Sequence, residues 1–261
     1  MSELDDLARS FAELASNAGR VIMDVYATDF AVRRKADLSP VSEADEAAEA
    51  LLVPGVEKLL PGVPILAEEA VSRDGFVEVG GEFVLIDPLD GTKEFVSRNG
   101  EFTVNIALVR DGAPVAGCVY APALERMYIG GTSAFAGSVS PGATGASLAP
   151  IATRPYPSRL VAVASRSHRD AQTDAFLTDL GVAETRSAGS SLKFCLVAEG
   201  SADVYPRFGP TMEWDTAAGD AVLRAAGGTV TDHSGAAFGY GKADAGFRNG
   251  VFVAWGRTAL R

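Results

Sequence analysis

The sequence predicts an α+β fold, in which an α+β half (residues 1–150) carries most of the chemistry and an α/β half (151–261) follows it. Three observations lead there. Apolar residues recur at helical spacing from Leu4 to Val25, two alternating apolar runs flank Asp111-Gly112, and strands alternate with helices after Val161.

The first element reads Leu4, Leu7, Phe11, Leu14, Ala18, Val21, Val25, an amphipathic helix. A polar loop, RRKADLSPVS, follows, with Pro40 holding it extended. Ser42 opens a second helix, EADEAAEALL, which Pro54-Gly55 is expected to kink or interrupt before Val56–Leu60. PILAEE is a short buried strand ending in two acids, and Phe83–Ile86 is another, stopped by Asp87-Pro88-Leu89-Asp90-Gly91-Thr92. The hairpin around Asp111-Gly112 and a third strand, Glu125–Gly130, make an antiparallel meander. Residues 131–157, rich in Gly, Ser, Ala and Pro, read as a strand edge and linker. Then come a strand at Val161–Ala164, helices at Asp170–Leu180 and Ser191–Glu199, and a strand at Asp203–Tyr205. A helix at Thr216–Ala226 stops at Gly227-Gly228, and Gly228–Thr231 and Gly250–Ala254 are the last strands.

Composition excludes several classes. The 261 residues are 47% hydrophobic, and no run approaches the roughly 18 apolar residues of a membrane span. The acidic N-terminus lacks the features of a secretory signal, so a cytoplasmic location is expected, with peripheral contact at the inner membrane left open. Cys118 and Cys195 are too few for a disulfide framework and read as buried thiols. A net charge of −11 disfavours nucleic-acid and anionic-lipid partners.

The strongest chemical signal is DPLDGT. Asp87 and Asp90, three residues apart across a proline-stiffened turn, can converge on one point with the Leu89 carbonyl, and hard divalent ions require such oxygen donors. Gly91 and Thr92 then offer backbone N–H groups to an anion. The plain alternative is a tight turn, for which Asp, Pro and Gly are common choices. Glu68, Glu69 and Asp215 also stand at element ends, as strand-end residues or, for Asp215, as a helix N-cap. Four carboxylates meeting in one cleft need cations or protons to compensate them. Ser42 and Asp45 form an S-x-x-D capping pattern.

LAEE, VLIDPLDGTKEFVSRNGEFTVNIALV and EWDTAAGDAVLRAAGG together resemble the three signature regions of the lithium-sensitive, inositol-monophosphatase-like phosphatases. The resemblance implies a layered αβαβα sandwich like that of the inositol monophosphatases and fructose-1,6-bisphosphatases. It implies two Mg2+ ions, with a third binding transiently, on Glu68, Asp87, the Leu89 carbonyl, Asp90 and Asp215, with Glu69 in support. Asp45 and Thr92, with Glu68, would serve the attacking water, without a phosphoenzyme. KADLSPVSEAD, the SRSH ending at His168, and GSSLKFCLVAEGSADVYPRFGPTMEWD resemble the CysQ-type 3′(2′),5′-bisphosphate nucleotidases. That branch removes the 3′-phosphate of adenosine 3′,5′-bisphosphate, a by-product of sulfate assimilation, giving AMP and phosphate. By the same resemblance Gly91, Thr92, His168, Ser190, Lys193 and Arg207 would bind substrate, and Lys35 would approach when its loop closes. Lys193 and Arg207 suit the second phosphate of such a nucleotide, and Tyr205 could help flank its adenine; surface charge and a core aromatic are the alternatives. The expected partner is a small bisphosphate nucleotide, and the chain is expected as a monomer or homodimer. The rivals are an inositol or sugar monophosphatase on the same scaffold and a non-catalytic, metal-dependent nucleotide sensor.

Overall fold

The structure, a computed structural model, describes residues 2–28, 32–34, 40–145, 147–155, 157–165 and 170–257. Helix α1 (Glu3–Tyr26) starts in a capping box: Ser2 Oγ accepts from the Asp5 N–H, and the Ser2 N–H donates to Asp5. Its buried stripe of Ala8, Phe11, Ala15, Ala18 and Ile22 keeps helical spacing but is turned from the predicted one, of which only Phe11 and Ala18 are buried while Leu4, Leu7, Leu14 and Val25 pack half-buried against the core. The segment expected as a polar loop instead contributes two short antiparallel strands, β1 (Val32–Arg34) and β2 (Pro40–Ser42). Helix α2 (Glu43–Leu59) runs on through Pro54 as one element, so of the expected kink or interruption the interruption does not occur. An interior proline costs about 3 kcal/mol. Packing on both sides of it offsets this: Leu52 and Val56 are fully buried, and Gly55 lies so close to Leu14 of α1 that a Cβ there would clash.

The large sheet has seven strands in sequence order: β3 (Ile65–Ala67), β4 (Glu82–Asp90), β5 (Thr103–Arg110), β6 (Ala113–Ala121), β7 (Arg126–Gly130), β8 (Ala134–Ser138) and β9 (Ala149–Ile151). Only β3 and β4 are parallel. Helix α3 (Glu68–Asp74) leaves β3, and helix α4 (Thr92–Val96) leaves β4. The β5–β6 turn at Asp111-Gly112 has positive φ at both residues, as the predicted hairpin requires. Strands β8 and β9 lie in the region read as edge and linker.

In the second half, β10 (Val161–Ser165), α5 (Ala171–Asp179), β11 (Glu184–Ala188), α6 (Leu192–Ala198) and β12 (Val204–Arg207) lead to a two-residue strand, β13 (Thr211–Met212). Helix α7 (Ala217–Ala225), β14 (Thr229–Asp232), β15 (Arg248–Asn249) and β16 (Phe252–Trp255) complete the described elements. A five-stranded sheet forms in the order β11-β10-β12-β16-β14, and β13 pairs with β15. The sequence reading missed β11, β13 and β15.

Alternating residues explain the layering. Val84 and Ile86 of β4 face a core shared with α1 and α2, while Phe83 and Leu85 face one shared with α6, α7 and the smaller sheet. Both faces are therefore covered, which is why β4 and β5 read as nearly continuous apolar runs. Gly117 and Gly130 let α7 press onto the large sheet, since a Cβ at either would strike its backbone. A third cluster joins Ala162, Val204, Val253 and Trp255 of the smaller sheet to Leu177 of α5. The order is helix pair, large sheet, helix pair, small sheet, helix: the expected αβαβα sandwich.

Candidate active site

The acidic residues reach one place because three chain segments end there. Strand β3 delivers Glu68 as the first residue of α3. Strand β4 continues beyond its expected end at Ile86, and its pairing with β5 shifts register between Asp87 and Asp90. Such an irregularity re-aims side chains at a sheet edge. The Leu89 N–H donates to Asp87 Oδ1 at 3.1 Å, which fixes the turn from within. Asp215 lies just before α7, whose N-cap is Thr216, so the simple capping account of Asp215 does not hold. Its Oδ2 instead accepts from the Met212 N–H at 2.8 Å, leaving Oδ1 for other partners.

Carboxylate oxygens of Glu68, Asp87 and Asp215 all lie within 4.8 Å of one another. Burial, then the charges of Glu68, Asp90, Asp215 and Asp45, push the Asp87 carboxyl well above its ordinary range. Asp215 is raised well above its own by burial, Asp90 and Glu68. Burial also raises Asp90, to about 6, although Lys193 opposes the shift. So many buried acids stay ionised together only if cations neutralise them. An all-oxygen donor set of this kind suits a hard divalent ion.

Asp45, on the first turn of α2, is buried and close enough to raise Asp87 electrostatically. Glu69 is buried beside Glu68, and its N–H donates to Glu49 Oε2 at 2.8 Å. Glu49, from α2, thereby caps α3, whose own N-cap Ala67 makes no side-chain bond. The sequence reading gave Glu49 no role; only its place on the inward face of α2 hinted at one.

Gly91 adopts φ 94° at the start of α4, a left-handed conformation that favours glycine, and a Cβ there would collide with the Ser190 hydroxyl. Thr92 follows, half-buried. Ser190 Oγ lies 2.8 Å from the Asp90 carbonyl and 2.9 Å from the Glu101 carbonyl, tying the two halves together. Glu101 also accepts from the Gly189 N–H at 2.9 Å.

A cationic pocket adjoins the acids. Lys193 on α6 is buried, and its Nζ donates to the Ser190 carbonyl at 2.5 Å. Burial lowers its pKa to about 8, with Asp90 opposing and Arg207 adding to the shift. Arg207, also buried, donates to the carbonyls of Gly209 and Pro210, both at 3.2 Å. Tyr205, expected to flank an adenine, instead packs in the core. Its ring is T-shaped against Phe194 and Phe252 and lies 5.4 Å beneath the Lys193 ammonium. Lys35 and His168 lie outside the described residues. Both cysteines are buried free thiols, with pKa values raised by burial. Among the described residues, no helix is long and apolar enough to cross a membrane.

Comparison with known proteins agrees with this geometry. The profile of the inositol monophosphatase family matches residues 3–256. The 3′(2′),5′-bisphosphate nucleotidase CysQ of Escherichia coli K12 is 49% identical over 225 residues, spanning 85% of this chain and 89% of its own. The protein of that name from Salmonella typhimurium is 48% identical over 230 residues, 87% of this chain and 91% of its own. The crystal structure of CysQ from Bacteroides thetaiotaomicron superposes with a TM-score of 0.81 at 36% identity, covering 98% of this chain and 99% of that one. With the signature acids gathered in one cleft of an αβαβα sandwich, and the family profile running nearly end to end, this chain belongs to the inositol monophosphatase family.

Proposed function

We propose that the chain is a divalent-metal-dependent phosphomonoesterase that removes the 3′-phosphate of adenosine 3′,5′-bisphosphate, giving AMP and phosphate. One observation carries the reading: a crowded carboxylate cluster stands directly beside two buried cations, Lys193 and Arg207. The first suits a metal-assisted phosphoryl centre, and the second supplies positive charge for a further phosphate, which an inositol monophosphate lacks. The names of the CysQ relatives point to the same substrate class.

On this reading Glu68, Asp87, the Leu89 carbonyl, Asp90 and Asp215 would hold two Mg2+ ions, with a third binding transiently. Bound Mg2+ would supply Lewis acidity, activating water at neutral pH and offsetting charge that develops on the phosphoryl and leaving oxygens. Asp45 and Thr92 orient the attacking water, and Asp45 takes its proton. Gly91, Thr92 and the Ser190 segment cradle the scissile phosphate at the start of α4. Lys193 and Arg207 hold the 5′-phosphate, with Arg207 suited to two-point contact. Lys35 and His168 complete the substrate contacts, and Glu69 supports Glu68.

The test is phosphate release from adenosine 3′,5′-bisphosphate, with Mg2+ and with EDTA, beside inositol 1-phosphate. Mg2+-dependent release that strongly favours the nucleotide is expected. Equal rates on both substrates would point to the broader monophosphatase. Binding without release would point to a sensor.

A further inference from the structure

The proposed metal ligands come from both halves of the chain, and beside Ser190 two further residues that join those halves have no assigned role. Asn105, on β5 of the large sheet, and Ser191, at the N-cap of α6, meet at the seam. Asn105 Nδ2 donates to Ser191 Oγ at 3.0 Å and lies 3.5 Å from Asp90 Oδ2. Ser191 Oγ in turn donates to the Asp215 carbonyl at 2.7 Å. The backbone N–H of Ser191 also draws the Asp90 carboxyl pKa downward. A single hydrogen-bonded chain therefore runs from Asp90 through Asn105 and Ser191 to Asp215. Through Asp215 it reaches the Met212 N–H, which grips the outer carboxylate oxygen.

We propose that Asn105 and Ser191 are positioning residues that fix the separation and aim of Asp90 and Asp215, so that the divalent-cation site is formed before the ion arrives. This rests on the metal-dependent reading above. Both residues are 1% exposed, and Asn105 interrupts a strand whose neighbours Val104, Ile106, Ala107 and Leu108 are all buried and apolar. Asn105 Oδ1 is buried without a hydrogen-bond partner. Folding alone favours an apolar side chain there, because an unsatisfied buried acceptor is a net cost. The cost is offset where the amide sets a charge constellation that no apolar group could set.

Calorimetric titration of Mg2+ into the metal-free protein tests this, using wild type, Ser191→Ala, Asn105→Leu and the double variant, with thermal midpoints measured in EDTA. Partners that orient a ligand typically change metal affinity by about 10- to 100-fold. Each single variant should therefore weaken Mg2+ at least about tenfold, with an EDTA midpoint close to wild type for Ser191→Ala. The double variant should lose little more than one single, because both act in one chain. Unchanged Mg2+ affinity in Ser191→Ala would overturn the positioning role and leave the metal site standing. Multiplying losses in the double variant would contradict a shared chain. If wild type binds no Mg2+, the metal-dependent reading fails as well. Should Asn105→Leu not fold, Ser191→Ala decides alone.

Discussion

The acidic cradle and the basic pocket are both clusters of like charge, yet burial moves their pKa values in opposite directions. Asp87, Asp90 and Asp215 are pushed up, and Lys193 is pushed down to about 8. Each cluster resists its own charged state and would be relieved by a partner of opposite sign, which the proposed function gives as a divalent cation in one and an anionic substituent in the other. On that reading the cradle sets whether chemistry occurs, and the pocket sets on which substrate. Four of its acids were visible as strand- and helix-end residues. The pocket depends on distant residues brought together by α6 and β12.

Breaking the cradle should have the largest effect. Asp90→Asn should lower turnover by about 10³-fold with the circular dichroism spectrum unchanged, the scale expected when a group stabilising transition-state charge is removed. Activity near wild type would contradict the metal assignment. Breaking the pocket should be selective: Arg207→Ala should lower kcat/KM for adenosine 3′,5′-bisphosphate by about 100-fold, as for a lost charge-assisted phosphate contact. The same variant should leave inositol 1-phosphate hydrolysis nearly unchanged, and equal losses on both would undo the division of labour.

At the seam between the regions, Gly91→Ala should destabilise the fold by more than about 2 kcal/mol, combining left-handed strain with a clash against Ser190. Urea denaturation measures it, and a loss below about 0.5 kcal/mol, the usual surface range, would refute the close approach. The smallest effect is a pH dependence. Lys193 binds an anion only when protonated, so KM for the bisphosphate should rise with pH above about 8, approaching tenfold per unit. For folding the sign is reversed: a depressed lysine pKa makes the native state release its proton first, so this group's penalty fades as pH rises from about 8 towards 10.5. A flat KM profile across that range would remove Lys193 from the anion site.

Much of the fold was legible because strong periodicity maps directly onto burial. α1 and the β5–β6 hairpin fall almost where spacing and the Asp-Gly turn place them. The DPLDGT and EWD segments pointed to chemistry because several such acids meeting in one cleft need cations or protons to compensate them. What was illegible depends on tertiary contact. Pro54 reads as a kink or a break, and packing around Leu52 and Val56 carries α2 through it without a break. Strands of two or three residues, such as β1, β2 and β13, are too short to show a period. Tyr205 was assigned by residue type, whereas the layer it belongs to decides what its ring touches. Glu49 and Asn105 gain significance only from neighbours 20 and 86 residues away.

Anomalous diffraction from crystals grown with Mn2+ in place of Mg2+ tests the central claim most directly. The account predicts a strong peak enclosed by the carboxylates of Glu68, Asp87 and Asp215, lost in Asp90→Asn or displaced from its position. Full Mn2+ binding elsewhere on the protein, with no peak among those three side chains, would contradict it.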